Sequence, residues 1–222
     1  MPLPVVGIAV VLAAGAIGTA ITVRQLKRPA KVILLGEGRS GKTTLLNTWQ
    51  GKWDAPVHRT QPAGEFVGKF RLNTGKKILT FDKLMTFRNV MDYSGLDEAL
   101  DVSRDKVKAA QYILYLVKAT HLAADPDGFD ETMAYERLVA DVTRIQRYRD
   151  RAKRIIFVVT FADQDQRFYE LDPPTYLFRV RNQLSGLLGM FDADDRPGVV
   201  AGSMATQESA ETLAGEAIRV MV

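Results

Sequence analysis

The segment Gly36, Glu37, Gly38, Arg39, Ser40, Gly41, Lys42, Thr43 fits the pattern G-x-x-x-x-G-K-[ST] and follows directly on the apolar run Lys31 to Leu35. In a chain of this length such a match arises by chance with odds of roughly one in a hundred, judged from typical residue frequencies. The context adds weight, because the pattern requires a strand before the loop and a helix after it. Glycines let backbone N–H groups converge on an anion without Cβ obstruction, and a helix N-terminus contributes the positive end of its dipole. A lysine at position 42 supplies a charge for phosphate oxygens. A threonine at position 43 supplies a hydroxyl for Mg²⁺, which prefers oxygen ligands and bridges phosphates. A merely structural glycine turn explains neither Lys42 nor Thr43.

This loop sets the expectation for the rest of the chain, an α/β fold with a mostly parallel sheet. From Lys31 onward, strand-like and helix-like segments alternate in the required order. KVILLG reads as a buried strand, followed by a helix starting within Gly41 to Leu46. EFVGKFRL, a turn at Asn73 to Gly75, KKILTF and MTFRNVMD read as an antiparallel pair or trio leading back into the sheet. YILYLVKAT, RIIFVVT and PGVVAGSMA are three further central strands. Helices are expected over 97–111, 129–152, 175–190 and 209–221, with Pro173 and Pro174 marking a helix start. At 222 residues there is room for one domain and one anchor, and the 46% apolar and 25% charged fractions are those of a globular protein. With no cysteine and only His58 and His121 as imidazoles, disulfides, thiolate chemistry and a histidine-rich metal centre are excluded.

Residues Val5 to Val23 carry no charge, and a helix of that length spans roughly 28 Å, close to the hydrocarbon thickness of a bilayer. The reading is an N-terminal transmembrane anchor over 1–24, a basic juxtamembrane linker over 25–30 and a single domain over 31–222. A secretory signal would place positive charge before the apolar run, whereas Arg24, Lys27, Arg28 and Lys31 follow it. The same asymmetry predicts a single-pass membrane protein with its domain in the cytoplasm and the linker on anionic lipid headgroups. The formal charge of +4 is small and its clearest cluster is this one, so no nucleic-acid partner is expected.

The order and spacing of the motifs resemble those of the Ras-like small GTPases, over about Lys31 to Val222. The resemblance implies a P-loop NTPase fold of three α/β/α layers, binding GTP or GDP with Mg²⁺. It implies nucleotide contacts from Gly36, Gly38, Arg39, Ser40, Gly41, Lys42, Thr43 and Thr44. Thr60 stands near the expected distance for the threonine that senses the γ-phosphate and Mg²⁺. Asp92, Tyr93, Ser94, Gly95 match D-x-x-G after a strand-like run, so Asp92 is implied as a metal-side residue with Thr43 and Thr60. Gly95, with Lys42 and Thr60, is implied on the γ-phosphate, in the catalytic set. The glutamine that follows in many family members is replaced by Leu96, which cannot orient water, so slow intrinsic hydrolysis is expected. Arg59 is a weaker candidate for an internal arginine finger.

The family's N-K-x-D guanine motif has its counterpart in Thr160, Phe161, Ala162, Asp163, which keeps only the aspartate. Asp163 is implied as the base acceptor, and Phe161 can stack its ring on a purine in place of the lysine stem. Ser203, Met204, Ala205 loosely match the last motif, S-A-K, so Ser203 is implied as a further nucleotide contact. The anchored layout is similar to that of the signal recognition particle receptor beta subunit. The partners this implies are a protein effector, with a GAP or exchange factor. Two other classes stay open: a scaffold that holds nucleotide without hydrolysing it, and a P-loop ATPase.

Overall fold

A computed structural model describes residues 30–54, 65–73, 78–89, 104–122, 129–149 and 154–221. Six strands form one sheet: β1 (Ala30–Gly36), β2 (Glu65–Asn73), β3 (Ile78–Asn89), β4 (Tyr112–Lys118), β5 (Arg154–Thr160) and β6 (Gly198–Ala201). Their spatial order is β2-β3-β1-β4-β5-β6. All neighbouring pairs are parallel except the β2–β3 hairpin. The fold is therefore α/β with a mostly parallel sheet.

Of the segment 73–84, Asn73 ends β2 and Ile78 onward belongs to the paired strand β3, while 74–77 lie outside the described residues. KKILTF and MTFRNVMD do not form two strands, because β3 runs unbroken from Ile78 to Asn89. Its first half pairs with β2 alone, Ile78 opposite Asn73, and from Met85 onward it also lies beside β1. A register shift between Gly68 and Phe70 lets β2 follow it.

Parallel strands covered on both faces read as continuous apolar runs, and β4 and β5 do. Alternate residues go to opposite sides: Ile113, Tyr115, Val117, Ile155, Phe157 and Val159 to one core, Leu114, Leu116, Ile156 and Val158 to the other. The first core is closed by α2 (Arg104–Ala109), α3 (Phe129–Tyr148), α5 (Pro173–Gln183) and α6 (Ser185–Leu188). The second is closed by α1 (Lys42–Trp49) and α7 (Gln207–Met221), tied where Trp49 Nε1 donates to Ala214 O at 3.1 Å. Across the first core, Tyr115 donates its hydroxyl to the buried Asp141 at 2.5 Å. Burial, followed by the Asp141 charge, pushes that hydroxyl well above the usual phenol range, so it stays a donor.

Helix boundaries follow local chemistry. The expected helix over 175–190 is two helices, broken at Leu184, where ψ is 1°. It starts earlier, at Pro173, because Asp172 caps it by accepting from Thr175 N at 3.2 Å. The helix expected over 129–152 ends at Tyr148, and α7 begins two residues before Ser209. Of the helix expected over 97–111, Arg104–Ala109 is helical, and 97–103 lie outside the described residues. Between β5 and α5 lie a 3₁₀ turn (Ala162–Gln164) and the short α4 (Arg167–Glu170). Among the described residues no helix is long and apolar enough to cross a membrane, and the segment 5–23 lies outside them.

Candidate functional site

From β1 the chain passes to β3 on one side of it, then crosses to β4 on the other. In open α/β sheets ligands sit at such a switch point, outside the carboxyl ends of the strands. The loop 36–41 leaves β1 at that place. Gly36 has φ 127°, and a Cβ on it would lie 2.1 Å from Leu116 O of the neighbouring β4, so no side chain fits there. Gly41 has φ 86° and stands just before α1, where it offers no side-chain cap. The first-turn amides, those of Thr43 and Thr44 among them, have no acceptor inside the helix.

Inside the loop lies Lys42, only 6% exposed. Its Nζ donates to Gly36 O at 2.8 Å, to Glu37 O, and more weakly to Ser40 Oγ at 3.4 Å. Ser40 is fully buried, Thr43 and Gly38 are half-buried, and Arg39 is exposed at the loop's crest. Oxygens around an ammonium occupy positions that phosphate oxygens can take, and here the loop's own carbonyls fill them.

The remaining strand ends converge on this loop. Thr160, buried at the end of β5, hydrogen-bonds through Oγ1 to Ser40 O at 2.9 Å and to Val117 O at 3.2 Å. The threonine thus pins the loop to both β4 and β5. Phe161 follows with φ 54°, and its ring comes within 3.7 Å of where a Gly41 Cβ would be. Met204 packs on the same glycine. Asp163 stands in the 3₁₀ turn, its Oδ1 buried and without a hydrogen-bond partner. The β6 loop closes against this turn, Ala162 N donating to Gly202 O at 3.2 Å. Ser203 Oγ accepts from Ala205 N at 3.0 Å, so it shapes its own turn.

A cleft of about 230 Å³ opens between these loops, lined by Arg39, Lys118, Thr120, His121, Phe161 and Gln164. Arg39 (φ 59°) and Phe161 are the two non-glycine residues with positive φ among the described residues, and both line it. For side chains of this bulk that conformation costs roughly 1–3 kcal/mol. Strain of this kind concentrates at binding sites.

The structure brings together Gly36, Gly38, Arg39, Ser40, Gly41, Lys42, Thr43 and Thr44 with Phe161, and sets Asp163 on the turn after Phe161 and Ser203 on the adjoining loop. Thr60, Asp92 and Gly95, and with them Arg59 and Leu96, lie outside the described residues. Sequence reasoning missed Thr160 as a tether, and it missed Lys118, Thr120, His121 and Gln164 as cleft wall. Polar residues that follow an apolar strand in a parallel sheet are the signal that finds the wall.

No family model matches the chain, and no curated protein does. In fold it is similar to SsGBP, known from the crystal structure of a mutation variant, with a TM-score of 0.54 and 14% identity. The similarity covers 87% of this chain and 56% of that one, so this chain spans little more than half of its length. At that identity the likeness concerns fold alone.

Replacing Thr160 with valine removes the tether at constant shape and leaves the buried Ser40 carbonyl without this donor. The expected loss is about 1–2 kcal/mol of stability, seen as a melting temperature lower by roughly 2–6 °C. An unchanged melting temperature would contradict the tethering role.

Proposed function

We propose that this chain is a membrane-anchored, Ras-like P-loop GTPase, a GTP/GDP switch with slow intrinsic hydrolysis. The observation that carries the reading is the placement of Lys42 inside a glycine-hinged loop, beside a strained cleft, with one buried and unpartnered oxygen, Oδ1 of Asp163, on the 3₁₀ turn that follows Phe161. An ammonium ringed by replaceable oxygens suits the β and γ phosphates. A buried acceptor suits a base edge that presents N–H donors, which guanine does. The Phe161 ring offers a stacking surface in the same cleft.

Thr43, together with Asp92 and Thr60, is the set that would hold Mg²⁺, and the metal would supply charge neutralisation between the phosphates. Lys42, Thr60 and Gly95 form the γ-phosphate side of the proposal. Residues 5–23 are the proposed anchor, with the basic linker on anionic headgroups and the domain in the cytoplasm. A protein effector reads the nucleotide state, and a GAP or exchange factor resets it.

Leu96 favours a second reading, a scaffold in which nucleotide is a fixed structural ligand. Single-turnover hydrolysis by the full chain in detergent micelles separates the two. The switch reading expects phosphate release on the order of 10⁻⁴ per second or slower, and clearly above the level of a Lys42→Ala variant. Release no faster than that variant's would leave the scaffold.

A further inference from the structure

We propose that Glu37 and His121 form a latch that holds the phosphate loop in its binding shape, and that opening it speeds nucleotide release. The inference rests on the nucleotide-binding reading above and adds two positioning residues to it.

Glu37 meets the loop in two ways. Its carbonyl accepts from Lys42 Nζ, and its carboxylate Oε1 lies 2.8 Å from His121 Nδ1. The two side chains are 19% and 28% exposed, so solvent screens the contact less than it does a surface pair. His121 itself is firmly placed. It ends the 3₁₀ turn Ala119–His121 directly after β4, with Leu122 N donating to Ala119 O at 3.0 Å. Ala119, two residues before it, and Leu122, directly after it, are buried in the first core. The latch therefore connects the loop's second residue to a strand end that the core fixes.

Ser40 is held from the other flank by Thr160, so the loop is anchored near both ends. A loop ordered before its ligand arrives spares the complex the cost of ordering it. Without the Glu37 anchor that cost falls on the bound state, where it raises the dissociation rate. His121 also lines the cleft, so movement there alters the wall of the site as well.

The test is the dissociation rate of a fluorescent GDP from the full chain, chased with excess GDP. Glu37→Ala and His121→Ala are each expected to raise it about tenfold, the scale of one close, partly buried contact between an imidazole and a carboxylate. The double variant is expected to match either single within about twofold, since both remove one contact. His121→Asn, which returns an N–H near the position of Nδ1, is expected to stay within about threefold of the parent rate. If a single alanine variant is unfolded, as melting reports, the Asn variant and the other alanine variant still decide the case. Rates within about twofold of the parent in both alanine variants, or a double variant in which the two effects multiply, would overturn the latch. If the parent binds no fluorescent GDP at all, the nucleotide reading fails, and the latch with it.

Discussion

A Lys42→Ala variant is expected to lose nucleotide binding by roughly a hundredfold or more, while keeping its fold. The affinity estimate takes two charge-assisted contacts to phosphate at about 1.5–3 kcal/mol each. The fold is kept because of the lysine's surroundings. Its ammonium is satisfied by Gly36 O, Glu37 O and Ser40 Oγ, which are groups of its own loop rather than of the two cores. The core beneath the loop rests on Leu45, Leu46 and Trp49 of α1 packed against α7, and the substitution leaves those side chains in place. Equilibrium titration with a fluorescent guanine nucleotide reads the first expectation, and a melting curve reads the second. Retained affinity would mean that the loop is a structural turn.

Asp163→Ala is expected to remove base preference rather than phosphate binding. Its Oδ1 is buried and unpartnered, which in a folded protein is costly unless a ligand supplies the donor. A purine edge with adjacent N–H groups would satisfy it with two charge-assisted bonds. Losing them should cost guanine nucleotide about 3–4 kcal/mol, roughly two to three orders of magnitude in affinity. ATP binding, which uses the loop alone, should change by less than about threefold. If GTP and ATP affinities fall together in the variant, Asp163 supports the turn Ala162–Gln164 and does not read the base.

The loop 36–41 and the parallel strands were legible because their signals are local. Spacing of Gly36, Gly41, Lys42 and Thr43 encodes a turn and a helix start, and the runs in β4 and β5 are apolar enough for two-sided burial. The long β3 was not legible, since the charged pair Asp82 and Lys83 interrupts its apolar pattern and reads as a break. The division of 175–190 was hidden for the opposite reason. Leu184, Leu187 and Leu188 all face the core, so the apolar periodicity continues through the residue where the backbone turns.

At the site the limits were of another kind. Thr160 was visible only as a departure from an asparagine, yet its hydroxyl bonds the loop through a contact made by the fold. The positive φ of Phe161 leaves no trace in residue type, because bulky residues rarely adopt it and only tertiary packing imposes it. Glu37 and His121 meet from separate strand ends, and neither position in the sequence announces the other.

We propose that this loop and cleft hold a guanine nucleotide. Competition of GTP and ATP against a fluorescent guanine nucleotide on the full chain, in the presence of Mg²⁺, tests it most directly. Displacement by GTP is expected at concentrations roughly a hundredfold or more below those needed for ATP. Displacement by ATP at equal or lower concentration would contradict it.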